Sequence, residues 1–356
     1  MILWILKDLK LQTTKRRSKM RKVIGLTLVI LLAACASLTA QQNVLTLYGS
    51  AEPRSVEALA NGFEKAYRGV RVDWIRMSSG ETLARLRAEK DNPQADVWWG
   101  GTTDPHSIAA LEGLTEDYRP SIWRELDPRF RDPLGGWKVI GVYVGALGLS
   151  ANEGVLRKRG LPVPTGWDDL IDPRYKGLIG MANPNTSGTA LTTLATQVFL
   201  RGEEQGLEYM KKLHKNIANY TKSGVAPGIL CGRGEIGIAI VFLHDAVYQI
   251  EEGYPVTAIA PKEGTGYEIG GCNLVKGAPH PDLARKFIDW VVSAEAQETQ
   301  PKVGAYQIPT NTTAKMPEKA IDINSVKTVD YDFTWVAENG VRIQDRWTRE
   351  VFTLPR

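Results

Sequence analysis

Five short runs of small and hydroxyl-bearing residues stand where a strand-like stretch hands over to a helix-like one. They are Gly49-Ser50-Ala51, Ser78-Ser79-Gly80-Glu81, Gly100-Gly101-Thr102, Thr186-Ser187-Gly188-Thr189 and Thr221-Lys222-Ser223-Gly224. The first turn of a helix carries unpaired N–H groups and the positive end of the dipole, so it can hold an anion without Lys or Arg. Glycine lets backbone approach the anion and Ser/Thr hydroxyls donate to it. Any one run is equally well explained as a helix cap or tight turn. Their recurrence at equivalent positions favours a shared anion site, with Ser50, Ser79, Gly80, Thr102, Thr186, Ser187, Gly188, Thr189, Ser223 and Gly224 as candidate ligands.

Three carboxylate or imidazole groups could read the other end of such a ligand. His244 and Asp245 follow the strand-like "IGIAIVF", and Glu268, beside Tyr267, interrupts an apolar, glycine-rich stretch where a charge needs a partner. Carboxylates there accept from hydroxyls or pair with an amine; the alternative is that Asp245 caps its helix and His244 is a satisfied partner within it. Trp98 and Trp99 could contribute to an aromatic cage, but a strand buried on both faces takes tryptophan as core, and at least one is expected there. Cys231, His244 and Asp245 are the residue types of a nucleophilic triad. Cys231 lies in a helix-like segment and no G-x-S-x-G occurs, so an enzyme is not expected. No cysteine pair has metal-type spacing, and neither a metal nor a cofactor is expected. Cys231 and Cys272 could pair in an oxidising compartment or remain buried thiols.

The compartment is indicated by "MRKVIGLTLVILLAAC", Met20 to Cys35, with its basic start, apolar core and small-residue end. This is the pattern of an export signal, too short for a comfortable membrane span. Residues 1–34 are read as that signal, with Met20 the more natural start, and Leu32-Ala33-Ala34-Cys35 resembles a bacterial lipobox, which would place a lipid on Cys35. Residues 35–42 would then form the tether. Without 1–34 the chain has 36 basic and 39 acidic residues, a net charge of −3. No basic stripe with interleaved aromatics survives, which excludes a nucleic-acid footprint. The remaining 322 residues are enough for two cores.

Strand and helix patterns alternate along this mature part. "NVLTLYGS" is followed by Val56, Leu59, Ala60, Phe63 and Tyr67 at helical spacing, then "VRVDWIRM", "SGETLARLRAEK" and "ADVWWGG" repeat the cycle. Such alternation predicts an α/β fold with a largely parallel sheet. "WKVIGVYVGALGLS" is long enough to cross into a second unit, and "GYEIGGCNLVKG" offers the return. Two doubly wound lobes joined by crossover strands follow, lobe 1 from 43–145 and 275–356 and lobe 2 from 146–274, with the ligand cleft between them.

The order of "ADVWWGGT", "SGTALTTLATQVF", "YTKSGVAPGILCGRGEIGIAIVFLHDAV", "EEGYPVTAIAPKEGTGYEIGG" and "VGAYQIPTN" resembles the type II bacterial extracellular solute-binding proteins of the iron(III)/phosphonate/sugar-phosphate group. The resemblance implies the capture subunit of an ABC importer. Such a subunit is a monomer in the periplasm or on the outer membrane face, held by its lipid, and closes its lobes on a small anionic solute for delivery to a membrane permease. Ferric-binding members carry adjacent tyrosines where this chain has Phe242-Leu243-His244-Asp245, so bare ferric iron is the alternative rather than the leading expectation. His244, Asp245 and Glu268 could still form an unorthodox metal site. Sugar-phosphate relatives combine Ser/Thr sites at helix N-termini with a His-Asp pair and a Glu, and phosphonate relatives need the same anion site with a carboxylate.

Overall fold

A computed structural model describes residues 43–356; the expected signal, Met20 and Cys35 lie outside the described residues. The chain opens with strand β1 (Val44–Gly49), helix α1 (Pro53–Ala66), β2 (Arg71–Arg76), α2 (Ser79–Ala88), β3 (Val97–Thr102) and α3 (Thr103–Leu111). In α1 the expected 3.6-residue stripe is buried at Val56, Leu59, Ala60 and Phe63, whereas its last expected member, Tyr67, caps the helix end and is exposed. Phe63 meets Phe287 edge to face at 5.0 Å, and Pro53 at the first position supplies a helical φ where no donor is required.

After the two-residue strand β4 (Thr115–Glu116) comes β5 (Ile140–Asn152), buried along its whole length. Its N-terminal half, Ile140–Ala146, pairs antiparallel with β10 (Tyr267–Val275). Its C-terminal half, Leu147–Ala151, pairs antiparallel with β8 (Ile238–Phe242). One strand therefore carries the hydrogen-bond ladder from one half of the molecule into the other. Beyond it lie α4 (Glu153–Lys158), β6 (Ile179–Ala182), α5 (Gly188–Arg201), α6 (Glu203–His214), β7 (Ile217–Thr221), α7 (Ala226–Gly232), β8, α8 (Leu243–Glu251), β9 (Val256–Ile259) and β10. The chain ends with α9 (Pro281–Val291), α10 (Ala294–Gln297), β11 (Ile308–Pro309) and α11 (Phe333–Trp347).

The main sheet path is β2-β1-β3-β10-β5-β8-β6-β7. Its flanks are parallel, β1 with β3 and β6 with β7 and β8, as strand-helix alternation demands. The two long strands in the middle, β5 and β10, run antiparallel to their neighbours. Helix α9 lies in the core formed by β1, β3 and α1, through Phe287, Ile288 and Val291. The C-terminal helix reaches the other half as well: Arg342 and Arg346 pair with Glu203 at the start of α6. Trp347 is fully buried and meets Tyr220 on β7 at 5.3 Å. No described helix is long and apolar enough to cross a membrane. Cys231 and Cys272 are both buried and unpaired with each other.

Candidate functional site

The C-terminal ends of β1, β2, β3, β6, β7 and β8 open onto one pocket of about 450 Å³, part of it open to solvent. Strand ends facing helix N-termini are where open α/β sheets bind ligands. Six helices, α1, α2, α3, α5, α7 and α8, start at this place, and the N-cap residue of each lines it.

One end of the pocket is built from hydroxyls. Gly100 and Gly101 both take left-handed φ values, 80° and 76°, which a residue with a side chain adopts only at a cost. The resulting turn lets the Gly101 N–H donate to the Tyr143 hydroxyl at 2.8 Å and delivers Thr102 to the N-cap of α3. There the Thr102 hydroxyl makes no capping bond. It is buried and has no partner within the protein. Opposite it, Ser187 occupies the N-cap of α5 and its hydroxyl likewise caps nothing. A Cβ placed on Gly188 would collide with Thr102 Oγ1 and fall 3.2 Å from Ser79 Oγ. One on Gly224 would collide with Thr189 Oγ1 and fall 2.9 Å from Ser187 Oγ. Hydroxyls from both halves of the sheet thus converge on a gap that only glycines leave open. Arg76 adds a cation, its guanidinium donating to Ser223 Oγ at 2.9 Å and to the Ala51 carbonyl at 3.2 Å.

The other end holds three titratable side chains. His244 Nε2 lies 3.6 Å from Asp245 Oδ1 and 3.6 Å from Glu268 Oε1, too far for hydrogen bonds. His244 Nδ1 and Glu268 Oε1 are buried without partners. The strand β5 makes room for them at Gly145, where a Cβ would sit 2.5 Å from His244 Nδ1 and 3.6 Å from Glu268 Oε1. Burial pushes the imidazole down to about 3, so it is neutral, with one ring nitrogen to donate and one to accept. Burial raises the Asp245 and Glu268 carboxyls well above the usual range, Glu52 adding to the effect on Asp245 and Asp245 to that on Glu268. Each of these groups can accept or donate to a polar ligand, and none is spent on the protein's own hydrogen bonding at those atoms.

Of the residues singled out in the sequence, Ser50, Ser79, Thr102, Ser187, Gly188, Thr189, Gly224, His244, Asp245 and Glu268 line the pocket. Ser50 does so with its hydroxyl engaged, accepting from the Trp98 indole at 2.8 Å and sharing a hydrogen bond with Thr82 at 3.0 Å. Gly80, Thr186, Ser223 and Tyr267 stand outside the lining. The Gly80 N–H donates to the Thr186 carbonyl at 3.1 Å, and the Thr186 hydroxyl donates to the Lys222 carbonyl at 2.8 Å. Tyr267, adjacent to Glu268 on β10, packs instead against Phe333 at 5.4 Å and Tyr331 at 6.0 Å. Both Trp98 and Trp99 are core, 0% and 2% exposed. Cys231 lies outside the lining, its thiol donating to the Ser150 carbonyl at 3.3 Å, so the triad types do not share a site. Lining residues that sequence reasoning missed are Glu52, Arg76, Tyr143, Val225 and Gln307. Arg76 had a signal, since it ends β2 beside two of the hydroxyl runs; Tyr143 and Gln307 had none short of the β5 and β11 pairing.

A two-sided α/β molecule with such a pocket is the architecture of a solute-binding protein. The model of the bacterial extracellular solute-binding protein family matches residues 102–334, and the chain belongs to that family. An "Uncharacterized protein" of Haemophilus influenzae is 42% identical over 330 residues, covering 90% of this chain and 95% of that one. The solved structure of the periplasmic binding protein AfuA from Actinobacillus pleuropneumoniae, with exogenous fructose-6-phosphate bound, is 43% identical. It matches with a TM-score of 0.85 over 87% of this chain and 99% of that one. A protein of Salmonella typhimurium named "Putative 2-aminoethylphosphonate-binding periplasmic protein" is 26% identical over 298 residues, 78% of this chain and 82% of that one.

Proposed function

We propose that the protein captures a small phosphorylated or phosphonate solute in this pocket and hands it to the permease of an ABC importer. The observation that carries the reading is the convergence of uncommitted hydroxyls on the Gly188 gap, with Thr102 Oγ1 buried and unpartnered beside it. An unpaired buried hydroxyl costs stability, and a phosphoryl oxygen would repay it. Ser79, Thr102, Ser187, Thr189 and the backbone at Gly188 and Gly224 hold the anion, with Arg76 neutralising charge. His244, Asp245 and Glu268 take hydroxyls or an amine at the far end. That AfuA carries a sugar phosphate and the Salmonella relative is named for a phosphonate supports the same ligand chemistry.

We take the pocket to lie between two lobes, 43–145 with 275–356 and 146–274, and capture to follow from their closure. Hydrogen bonds of Arg76 with Ser223 and of Gly80 with Thr186, and the ion pairs of Arg342 and Arg346 with Glu203, run between these two sets of residues. The chain is exported through residues 1–34, tethered by lipid on Cys35, and acts as a monomer at the outer face of the membrane; it is a carrier rather than an enzyme. For the alternative of ferric iron, the described residues contain no group of three or more His, Cys, Asp or Glu that could hold a metal ion. A thermal-shift series with fructose 6-phosphate, 2-aminoethylphosphonate and ferric ion tests the choice: stabilisation by either phosphorus compound is expected, and stabilisation by ferric ion alone would overturn it. Loss of a lipid-bearing N-terminal mass on Cys35→Ser in bacteria tests the anchor.

A further inference from the structure

A second cavity, of about 320 Å³ with part of it open to solvent, lies against the anion pocket. Tyr143 and Gln307 line both, and so form the wall between them. Its other sides are mostly apolar: Leu59, Val142, Val291 and Trp99. Trp99 is 2% exposed, and its indole N–H has no partner within the protein. Trp98, one residue away on the opposite face of β3, is the contrasting case, since its N–H is matched to Ser50 Oγ. A matched donor is the rule for a buried indole. Two of the three amides at the cavity, Gln297 and Gln300, are in use, whereas the Gln307 amide on the dividing wall makes no hydrogen bond among the described residues. Gln297 donates to Thr310 Oγ1 at 3.1 Å and accepts from the Asn311 N–H at 2.9 Å, and Gln300 donates to the Ser55 carbonyl at 3.4 Å. Behind the Gln307 wall the cavity therefore offers mostly apolar sides and one buried donor with no partner at all, the Trp99 indole N–H. Its complement is a small apolar group bearing a single acceptor, which is the description of an acyl group.

We propose that this cavity is an annex of the anion pocket that receives an acyl substituent of a phosphorylated ligand, its carbonyl oxygen accepting from Trp99 Nε1. This rests on the phosphorylated-solute reading. Entry requires the Gln307 side chain, half-buried on the loop preceding β11, to swing aside. Tyr143 stays in place, anchored by the Gly101 N–H and set edge-on to Trp99 at 6.0 Å.

The test is calorimetric titration of two matched pairs: glucosamine 6-phosphate with N-acetylglucosamine 6-phosphate, and 2-aminoethylphosphonate with its N-acetyl form. In at least one pair the wild type binds both members within tenfold of each other. Trp99→Phe keeps the ring and removes the N–H; it weakens the acetylated member about fivefold or more and leaves the parent within twofold. Val142→Phe, which fills the cavity, weakens the acetylated member more than tenfold with the parent retained. A wild type that, for every parent it binds, binds the acetylated partner more than tenfold more weakly overturns the annex alone. So does a Trp99→Phe chain that weakens both members alike. Binding of fructose 6-phosphate with rejection of all four probes overturns the annex alone, and failure of fructose 6-phosphate and every probe to bind overturns the phosphorylated-solute reading and the annex with it.

Discussion

Replacing Gly188 by Ala puts a single methyl group into the gap where the two sets of hydroxyls meet. Gly188 is the first residue of α5, and it is absent from the left-handed glycines, so its backbone accepts alanine without strain. Alanine is the better helix former by roughly 0.5–1 kcal/mol in a helix interior, and less at a first position. The methyl, however, collides with Thr102 Oγ1 and lies 3.2 Å from both Ser79 Oγ and Thr102 Cγ2. Those atoms are backed by buried structure, since Ser79 and Thr102 are 4% and 2% exposed. Overpacking of this kind costs about 1–3 kcal/mol. Here it is relieved when the two halves part, so the cost falls on the closed, liganded state. Parting by even an ångström also loses one charge-assisted hydrogen bond to the anion, roughly 1.5–3 kcal/mol. The sum is about 2.5–6 kcal/mol, a rise in Kd of roughly two to four orders of magnitude. The assay is calorimetric titration with whichever phosphorus compound the wild type binds, alongside thermal melting without ligand. The ligand-free melting temperature is expected to stay within about 3 °C of wild type, because the empty protein can open. Gly154→Ala, in α4 and away from the pocket, serves as control and is expected to bind within twofold of wild type. A Gly188→Ala chain that melts normally and binds within threefold of wild type would refute the convergent-hydroxyl site.

Three further outcomes follow from named contacts. Arg76→Ala removes a guanidinium that lines the pocket and bridges to Ser223. Loss of one charged hydrogen bond predicts a Kd about ten- to a hundredfold higher by titration, and unchanged affinity would deny Arg76 its role. Asp104 is fully buried, accepts from Thr192 at 2.9 Å and Tyr331 at 2.7 Å, and burial pushes it up to about 6. A carboxyl raised in the folded state favours folding below its unfolded value, near 4, and that contribution is lost as pH rises through about 6, about 3 kcal/mol for a two-unit shift. Asp104→Asn should therefore gain on wild type by up to about that much between pH 4 and pH 7 in urea melts, and a pH-independent difference would contradict it. Burial pushes the Cys231 thiol up to about 12 and Cys272 still higher. In a Cys35→Ser chain both should resist a thiol reagent at pH 8 until guanidinium is added, and fast native labelling of either would place it at an accessible site.

What could be read from the sequence depended on range. The alternation of strands and helices was legible because its signal is local: the buried stripe of α1 and the parallel flanking strands lie where periodicity put them. The hydroxyl runs were legible for the same reason, since each sits between a recognisable strand end and a helix start. Which members of a run face the ligand was not legible. Tyr267 and Glu268 are neighbours on β10, and strand alternation sends only one of them into the pocket. Gly80 and Thr186 were chosen for their types, yet they hydrogen-bond to each other across the two halves. Tyr143 and Gln307 reach the pocket only through the pairing of β5 with β10 and β11, a register no local pattern discloses. The two tryptophans of β3 looked equivalent, and only the assembled sheet separates the one whose N–H is matched from the one whose N–H is free.

The most direct measurement is native mass spectrometry of the chain purified from its own cells without unfolding. A single bound small molecule is expected, retained after chelator treatment, containing phosphorus by its fragmentation, and displaced by excess of the phosphorus compound that stabilises the protein. An adduct of iron mass that a chelator strips, on a protein that no phosphate ester or phosphonate stabilises, would contradict the proposed function.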